Sequence, residues 1–384
     1  MNYNFSYIFP QMKRETLSQA SVHRFLDKPL GCKMYDKAFV LPSKDLWKDG
    51  KCFGGVVTKE GVFVESSAWH EGKRCDKYDF DPSKAKEDAG IVIYMGFYNS
   101  CWGHAITDNL KKLWYLKTEE CKSLLKQGAK LIYLTIDNKP QPSYVKRLFE
   151  LADADIDSFE LVTEITRFDK IFVPGNSFIA DNGQRYFTQP YVDSINLIKK
   201  NVSSTIKGNN IYPEKIYFTR THIRSQRDWG EMSIERVFKK KGYHIIAPEE
   251  KTVEEQIAFL MNCTYFATTE GSISHNVVFC QPKTEVTIVR KCYDVNKYQM
   301  AVNEVSDVNV TYIDAHNSTK APNEAPWVGP FFLYNNEQLL KWNGSFFINF
   351  PLWMRPIWWL YKNQDKNIVR RAMRLHAKLI NYEV

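Results

Sequence analysis

The sequence predicts an α/β protein with two doubly wound domains. Three observations carry this. At 384 residues the chain is longer than one hydrophobic core usually serves. Between residues 90 and 290, short apolar runs alternate with amphipathic segments of helical period. Gly, Pro, Ser and Thr punctuate these segments where helices start and strands stop.

Residues 1 to about 90 are irregular, with short strand-like runs such as KAFVLP and GVFVES between Lys, Asp and Gly clusters. From Gly90, GIVIYMG reads as a strand, HAITDNLKKLWYLKT as an amphipathic helix, AKLIYLTI as a strand and PSYVKRLFELADA as a helix opened by Pro142. Apolar runs FELVTEI and KIFVPG follow. Residues 190–215 are a helix and then a polar Gly/Asn/Pro segment, which suits an interdomain hinge.

The second half alternates more cleanly. KIYFTR reads as a strand, SIERVFKKKG as a helix capped by Ser233, YHIIAP as a strand and TVEEQIAFLMN as a helix capped by Thr252. TYFATT is then a strand, SHNVVFC a short helix and EVTIVR a strand. These runs are expected to form parallel sheets that bind ligands beyond the carboxyl ends of their strands. The expected domains are 1–195, 196–330 and a helical tail, 331–384. In that tail, aromatics such as Trp353, Trp358 and Trp359 stand beside Arg370, Arg371 and Arg374. It suits an anionic membrane surface, or equally a helix docked on the domains by its apolar face.

A composition with 44% hydrophobic residues excludes wholesale disorder. The net charge of +8 favours an anionic partner without choosing one. Eight cysteines without CxxC or zinc-like spacing read as scattered reduced thiols, expected of an intracellular protein. No signal-like leader and no apolar run of about 18 residues is present, so neither secretion nor membrane crossing is expected.

Three segments offer chemistry. In TTEGSISHNVVFC, residues 268–280, Glu270, Gly271 and Ser272 fall at a strand-to-helix turn. Gly271 permits close backbone approach there, and Ser272, Ser274, His275 and Asn276 offer amides and side chains to a diphosphate. In YFTRTHIRSQRDWGE, Arg220, Arg224 and Arg227 follow a strand end, where guanidinium forks can grip phosphate at two points. In the first helix, His104 and Asp108 lie four apart on one face, the spacing of an imidazole–carboxylate base. No third ligand is spaced to join them around a metal.

With these segments the chain resembles glycosyltransferase family 61 over roughly residues 90–290. The likeness rests on His104-Ala-Ile-Thr-Asp108, on YFTRTHIRSQRDWGE, and on EEQIAFLMNCTYFATTEGSISHNVVF. Glu270 stands where the family often has His, Ser272 and Ser274 replace Ala and Gly, and 228–231 loosens an Asn-Glu pattern.

The resemblance implies a GT-B fold, two Rossmann-like domains facing a cleft, with the nucleotide held by the second. It implies an inverting, metal-independent transferase taking a nucleotide-sugar donor, UDP-sugar favoured, to a hydroxyl of a glycan or lipid-linked glycan acceptor. No cofactor is expected. His104, Asp108 or Glu270 would be catalytic, and Arg220, Arg224, Arg227, Gly271, Ser272, Ser274, His275 and Asn276 would bind the donor. Capsule or lipopolysaccharide assembly in the cytoplasm or at the inner membrane face fits, with peripheral contact through the tail. The competing expectation is a degenerate transferase or a non-enzymatic nucleotide- or nucleic-acid-binding protein. Nucleic acid is disfavoured, since THIRSQRDWGE has only Trp229 for stacking.

Overall fold

A computed structural model describes residues 1–48, 51–69, 75–206, 211–223, 228–316 and 331–344, without the side chains at 45–48 and 51. The chain divides into two compact units, Arg24–Ile206 and Met1–His23 with Lys207–Val384.

The expected boundary at 195 falls inside the helix Gln189–Thr205, whose Ile195, Ile198 and Val202 are buried. A helix with a continuous buried face stays with one core, so the division comes after Ile206 instead. The first residues also change sides. Tyr3–Tyr7 pairs in parallel with Asn309–Asp314, and the Phe9 amide donates to Asp314 at 2.7 Å.

The discontinuous unit holds a six-stranded sheet ordered Tyr3–Tyr7, Asn309–Asp314, Glu285–Arg290, Tyr265–Thr269, Lys215–Phe218 and His244–Ile246. Every pair in it is parallel. Its strands are short and apolar because both faces are covered: Ile216, Phe218, Phe266, Ala267 and Ile288 are fully buried. The helix Val253–Asn262 starts at the predicted Thr252 cap, which Glu255 completes as a capping box. The helix Glu231–Lys240 is capped three residues before the expected Ser233, at Gly230 in a left-handed conformation. A Cβ on Gly230 would lie 1.9 Å from the Leu333 carbonyl oxygen, so only glycine fits. Phe331–Phe332 pairs with Asp228–Trp229, and Leu339 and Trp342 of the helix Glu337–Asn343 pack on the Tyr217–Phe238 core. The first residues of the expected tail are therefore part of this unit, while 345–384 lie outside the described residues.

The continuous unit is mixed rather than fully doubly wound. Its seven strands are ordered Cys75–Asp76, Lys51–Val57, Cys32–Lys48, Thr166–Pro174, Lys86–Tyr98, Lys130–Thr135 and Glu160–Leu161. The last four are parallel, as their strand and helix alternation predicts. Cys32–Lys48 runs antiparallel to both neighbours, and its near-immediate return into Lys51–Val57 leaves no length for a crossover helix between those two.

Cys52 and Cys75 are register partners and form a disulfide, which corrects the expectation of reduced thiols throughout. Spacing of 23 residues gave no sign of it, since adjacency across strands brings the sulfurs together. Among the described residues no helix is long and apolar enough to cross a membrane.

Candidate functional site

Along the six-stranded sheet, Lys215–Phe218 has the next strand in sequence, His244–Ile246, on one side, and Tyr265–Thr269 on the other. Connections leave in opposite directions there, and in open parallel sheets the carboxyl ends of the strands at such a reversal are where ligands bind. Arg220 stands two residues beyond the first strand, and Glu270 and Gly271 immediately follow the second. Gly271 has φ +134°, in the region that favours glycine, and a Cβ there would lie 3.7 Å from Arg220 Nη1 and 3.3 Å from Lys291 Nζ.

Lys291, just beyond the strand Glu285–Arg290, was not among the sequence candidates. Its Nζ donates to Asp228 Oδ2 at 2.9 Å and lies 4.6 Å from the Phe331 ring centroid. Arg220 Nη1 is 3.6 Å from the same carboxylate oxygen. The Lys291 and Asp228 side chains are 3% and 2% exposed, whereas Arg220, at 26%, reaches solvent. An Arg-Lys pair closing an apolar strand was the available signal. Arg290 turns inward to Asp314 and to the carbonyls of Cys292, Tyr293 and Asp294, while Lys291 joins Arg220.

Two buried carboxyls accompany these cations. Glu231 accepts from the Arg220 amide at 3.1 Å and the Tyr217 hydroxyl at 3.2 Å. Burial and then the nearby Asp228 push its pKa up to about 7. Glu270 is also pushed up to about 7 by burial, against the pull of Arg290 and Lys291. Its Oε2 is buried without a hydrogen-bond partner among the described residues. Such an oxygen is costly to keep and is the kind of group a ligand satisfies.

The turn after Gly271 differs from expectation. Ser274–Phe279 is a 3-10 helix of six residues, all buried. Ser274 is spent inside the turn: its hydroxyl meets the Gly271 amide and carbonyl at 3.1 and 2.8 Å, and its own amide donates to the Gly271 carbonyl. Gln299 secures it from the neighbouring helix, Lys297–Val305. His275 stacks near Tyr298, and the Asn276 side chain donates to the Ile273 carbonyl at 2.9 Å. Ser272 is half-buried beside Gly271. The amides of Gly271 and Ser274 are thus engaged within the turn itself. Arg224 and Arg227 lie outside the described residues.

In the other unit, the expected single helix is broken into an α turn at Trp102–His104, a π turn at Ala105–Asn109 and a 3-10 run at Leu110–Lys117. Asn109 bonds both ways to the Asn99 backbone at 3.0 Å, tying the segment to the preceding strand. The Tyr191 hydroxyl donates to the Ile106 carbonyl. Within this frame His104 Nδ1 and Asp108 Oδ2 stand 2.6 Å apart, and Thr107 Oγ1 also donates to that oxygen at 3.1 Å. Trp69 meets the imidazole edge-on, with ring centroids 4.9 Å apart. π turns recur at functional sites because they reaim side chains at a cost in helix regularity. Asp108 also lines a polar pocket of ≈ 160 Å³ with Glu65, Ser66, Lys111, Asn176 and Phe178. Among the described residues no three His, Cys, Asp or Glu side chains gather as a metal site.

No curated protein sequence matches the chain. The family model described as Glycosyltransferase 61 matches residues 102–287, a stretch that begins two residues before His104 and ends inside the strand Glu285–Arg290. It contains the His104–Asp108 pair, Arg220 and the Gly271 turn, and over this stretch the chain is similar to glycosyltransferase family 61.

Proposed function

We propose that this chain is a glycosyltransferase that moves a sugar from a nucleoside diphosphate donor to a glycan hydroxyl with inversion at the anomeric carbon. The observation that carries the reading is the convergence of Arg220 and Gly271 at the point where the parallel sheet reverses its strand order. A diphosphate leaving there gains charge as the glycosidic bond breaks. A partly exposed guanidinium stabilises that charge more in the transition state than in the ground state. On this reading side-chain cations do the work of a divalent metal.

The His104–Asp108 pair supplies the base. With Nδ1 bonded to Asp108, proton abstraction from the acceptor hydroxyl falls to Nε2, and Asp108 stabilises the imidazolium that forms. Glu270, with its unsatisfied oxygen, serves as a contact to a donor sugar hydroxyl. A UDP-sugar donor, the GT-B arrangement, and a role in capsule or lipopolysaccharide assembly belong to the same proposal and rest on the family.

The test is Arg220→Ala. Its side chain is partly exposed, and its one described charge contact is the 3.6 Å pair with Asp228, so the fold should survive. Transfer from a panel of nucleotide sugars should fall about 100-fold or more, the scale of losing a charge-assisted phosphate contact at a departing group. Near-normal turnover would remove the diphosphate role. A protein that binds a nucleotide sugar but never transfers or hydrolyses it would favour the degenerate-transferase reading.

A further inference from the structure

The Asp228–Lys291 pair invites a question of energetics. Burying two charges costs several kcal/mol before their attraction is counted, so such a pair is weak evidence of a stabilising role. Here it also sits at a rim with a second cation. Lys291 Nζ and Arg220 Nη1 lie on either side of the place a Gly271 side chain would occupy, 3.3 and 3.7 Å from its Cβ position. Both reach for one oxygen, Asp228 Oδ2, at 2.9 and 3.6 Å. Two cations share a single carboxylate oxygen, while the Glu231 carboxylate beside them is taken up by the Arg220 amide and Tyr217 hydroxyl. An ammonium has three donors and a guanidinium five, so the pair can bind more anion than Asp228 provides.

We propose that Lys291 is a second phosphate ligand of the donor site, and that Asp228 is a resident counter-carboxylate which competes with the donor's phosphate for Lys291 and Arg220. The inference rests on the donor-site reading above and goes beyond it, since Lys291 lies outside the residues matched by the family. It gives Asp228 a defined task. The carboxylate holds both cations in place while the site is empty, and by competing it limits how tightly a diphosphate product is retained.

The two substitutions are expected to act in opposite directions. Inorganic pyrophosphate and UDP would be titrated into the full-length chain by calorimetry, at two salt concentrations. Lys291→Met should weaken both ligands about tenfold or more, and Asp228→Asn, which keeps an acceptor for Lys291 but removes the competing charge, should tighten both several-fold. Uridine, lacking phosphate, should be unaffected by either change. A merely structural ion pair predicts lower stability in both variants and unchanged affinity in both.

Should Lys291→Met fail to fold because buried Asp228 keeps only the 3.6 Å contact with Arg220, the double variant Asp228→Asn/Lys291→Met removes both charges and should still bind pyrophosphate more weakly than Asp228→Asn alone. If Arg220→Ala abolishes binding but Lys291→Met binds like wild type, the role of Lys291 is refuted and the donor site stands. If Asp228→Asn binds more weakly than wild type, the competition is refuted. If the wild-type chain binds neither pyrophosphate nor UDP, and no other nucleoside diphosphate, the donor-site reading and this inference both fall.

Discussion

Replacing Glu270 by Gln should make the protein more stable and less active. Glu270 is fully buried, its Oε2 has no partner among the described residues, and its pKa is pushed from an ordinary 4.5 up to about 7. Ionising it in the fold at high pH therefore costs between about 3 and 4 kcal/mol, since the rise from 4.5 to about 7 is worth about 1.4 kcal/mol per pH unit. The sign follows from proton counting. Below pH 4.5 the carboxyl is protonated whether the chain is folded or not, and it costs nothing. Between 4.5 and 7 the folded protein holds the proton more tightly, so stability declines as pH rises, and above 7 the full cost is present. Glu231, displaced in the same direction, adds to the wild-type decline, but it is common to both proteins and cancels in their difference. Urea unfolding of wild type and Glu270→Gln at several pH values between 4.5 and 8 should give curves that coincide at the acid end. They should separate by up to about 3 kcal/mol at pH 8, with similar m-values. Transfer activity should fall in the same variant, since a carboxyl kept at such cost is one that function retains. A variant less stable than wild type at pH 8, or a separation independent of pH, would refute burial as the source of the raised pKa.

Other expectations are simpler to test. Asp108→Asn and His104→Ala should each lower kcat far more than they raise the donor KM, by about 100-fold or more on the scale of general-base removal, and two active variants would place the base elsewhere. Gly230→Ala forces a Cβ to within 1.9 Å of the Leu333 carbonyl in a left-handed backbone, so it should lower the unfolding free energy by more than about 2 kcal/mol or prevent folding. Cys52→Ser with Cys75→Ser opens a covalent loop spanning 23 residues and should cost about 3 kcal/mol, which denaturation with and without reductant would register.

Much of the rim around Arg220 and Gly271 was legible because it is local. Apolar runs of strand length, the Thr252 cap and the glycine after TYFATT each announce a short-range preference, and parallel pairing then aligns the strand ends with Arg220 and Glu270 at one edge. The i, i+4 spacing of His104 and Asp108 likewise held through the change to a π turn. The Ser274 turn misled for the opposite reason. Its hydroxyl and amides looked available in sequence but are consumed by Gly271 and by Gln299, 25 residues away.

By itself, then, the sequence determined the strands, most helices, the glycine that admits a close approach and the pairing of His104 with Asp108, all set by neighbours within a few residues. Only the tertiary structure decided that Tyr3–Tyr7 completes a sheet with Asn309–Asp314, that Cys52 meets Cys75, that Glu270 is buried enough to hold a proton near neutrality, and that Lys291 reaches Asp228 across 63 positions. Burial and long-range electrostatics depend on which strands lie side by side, and that order is a property of the folded sheet that no local pattern encodes.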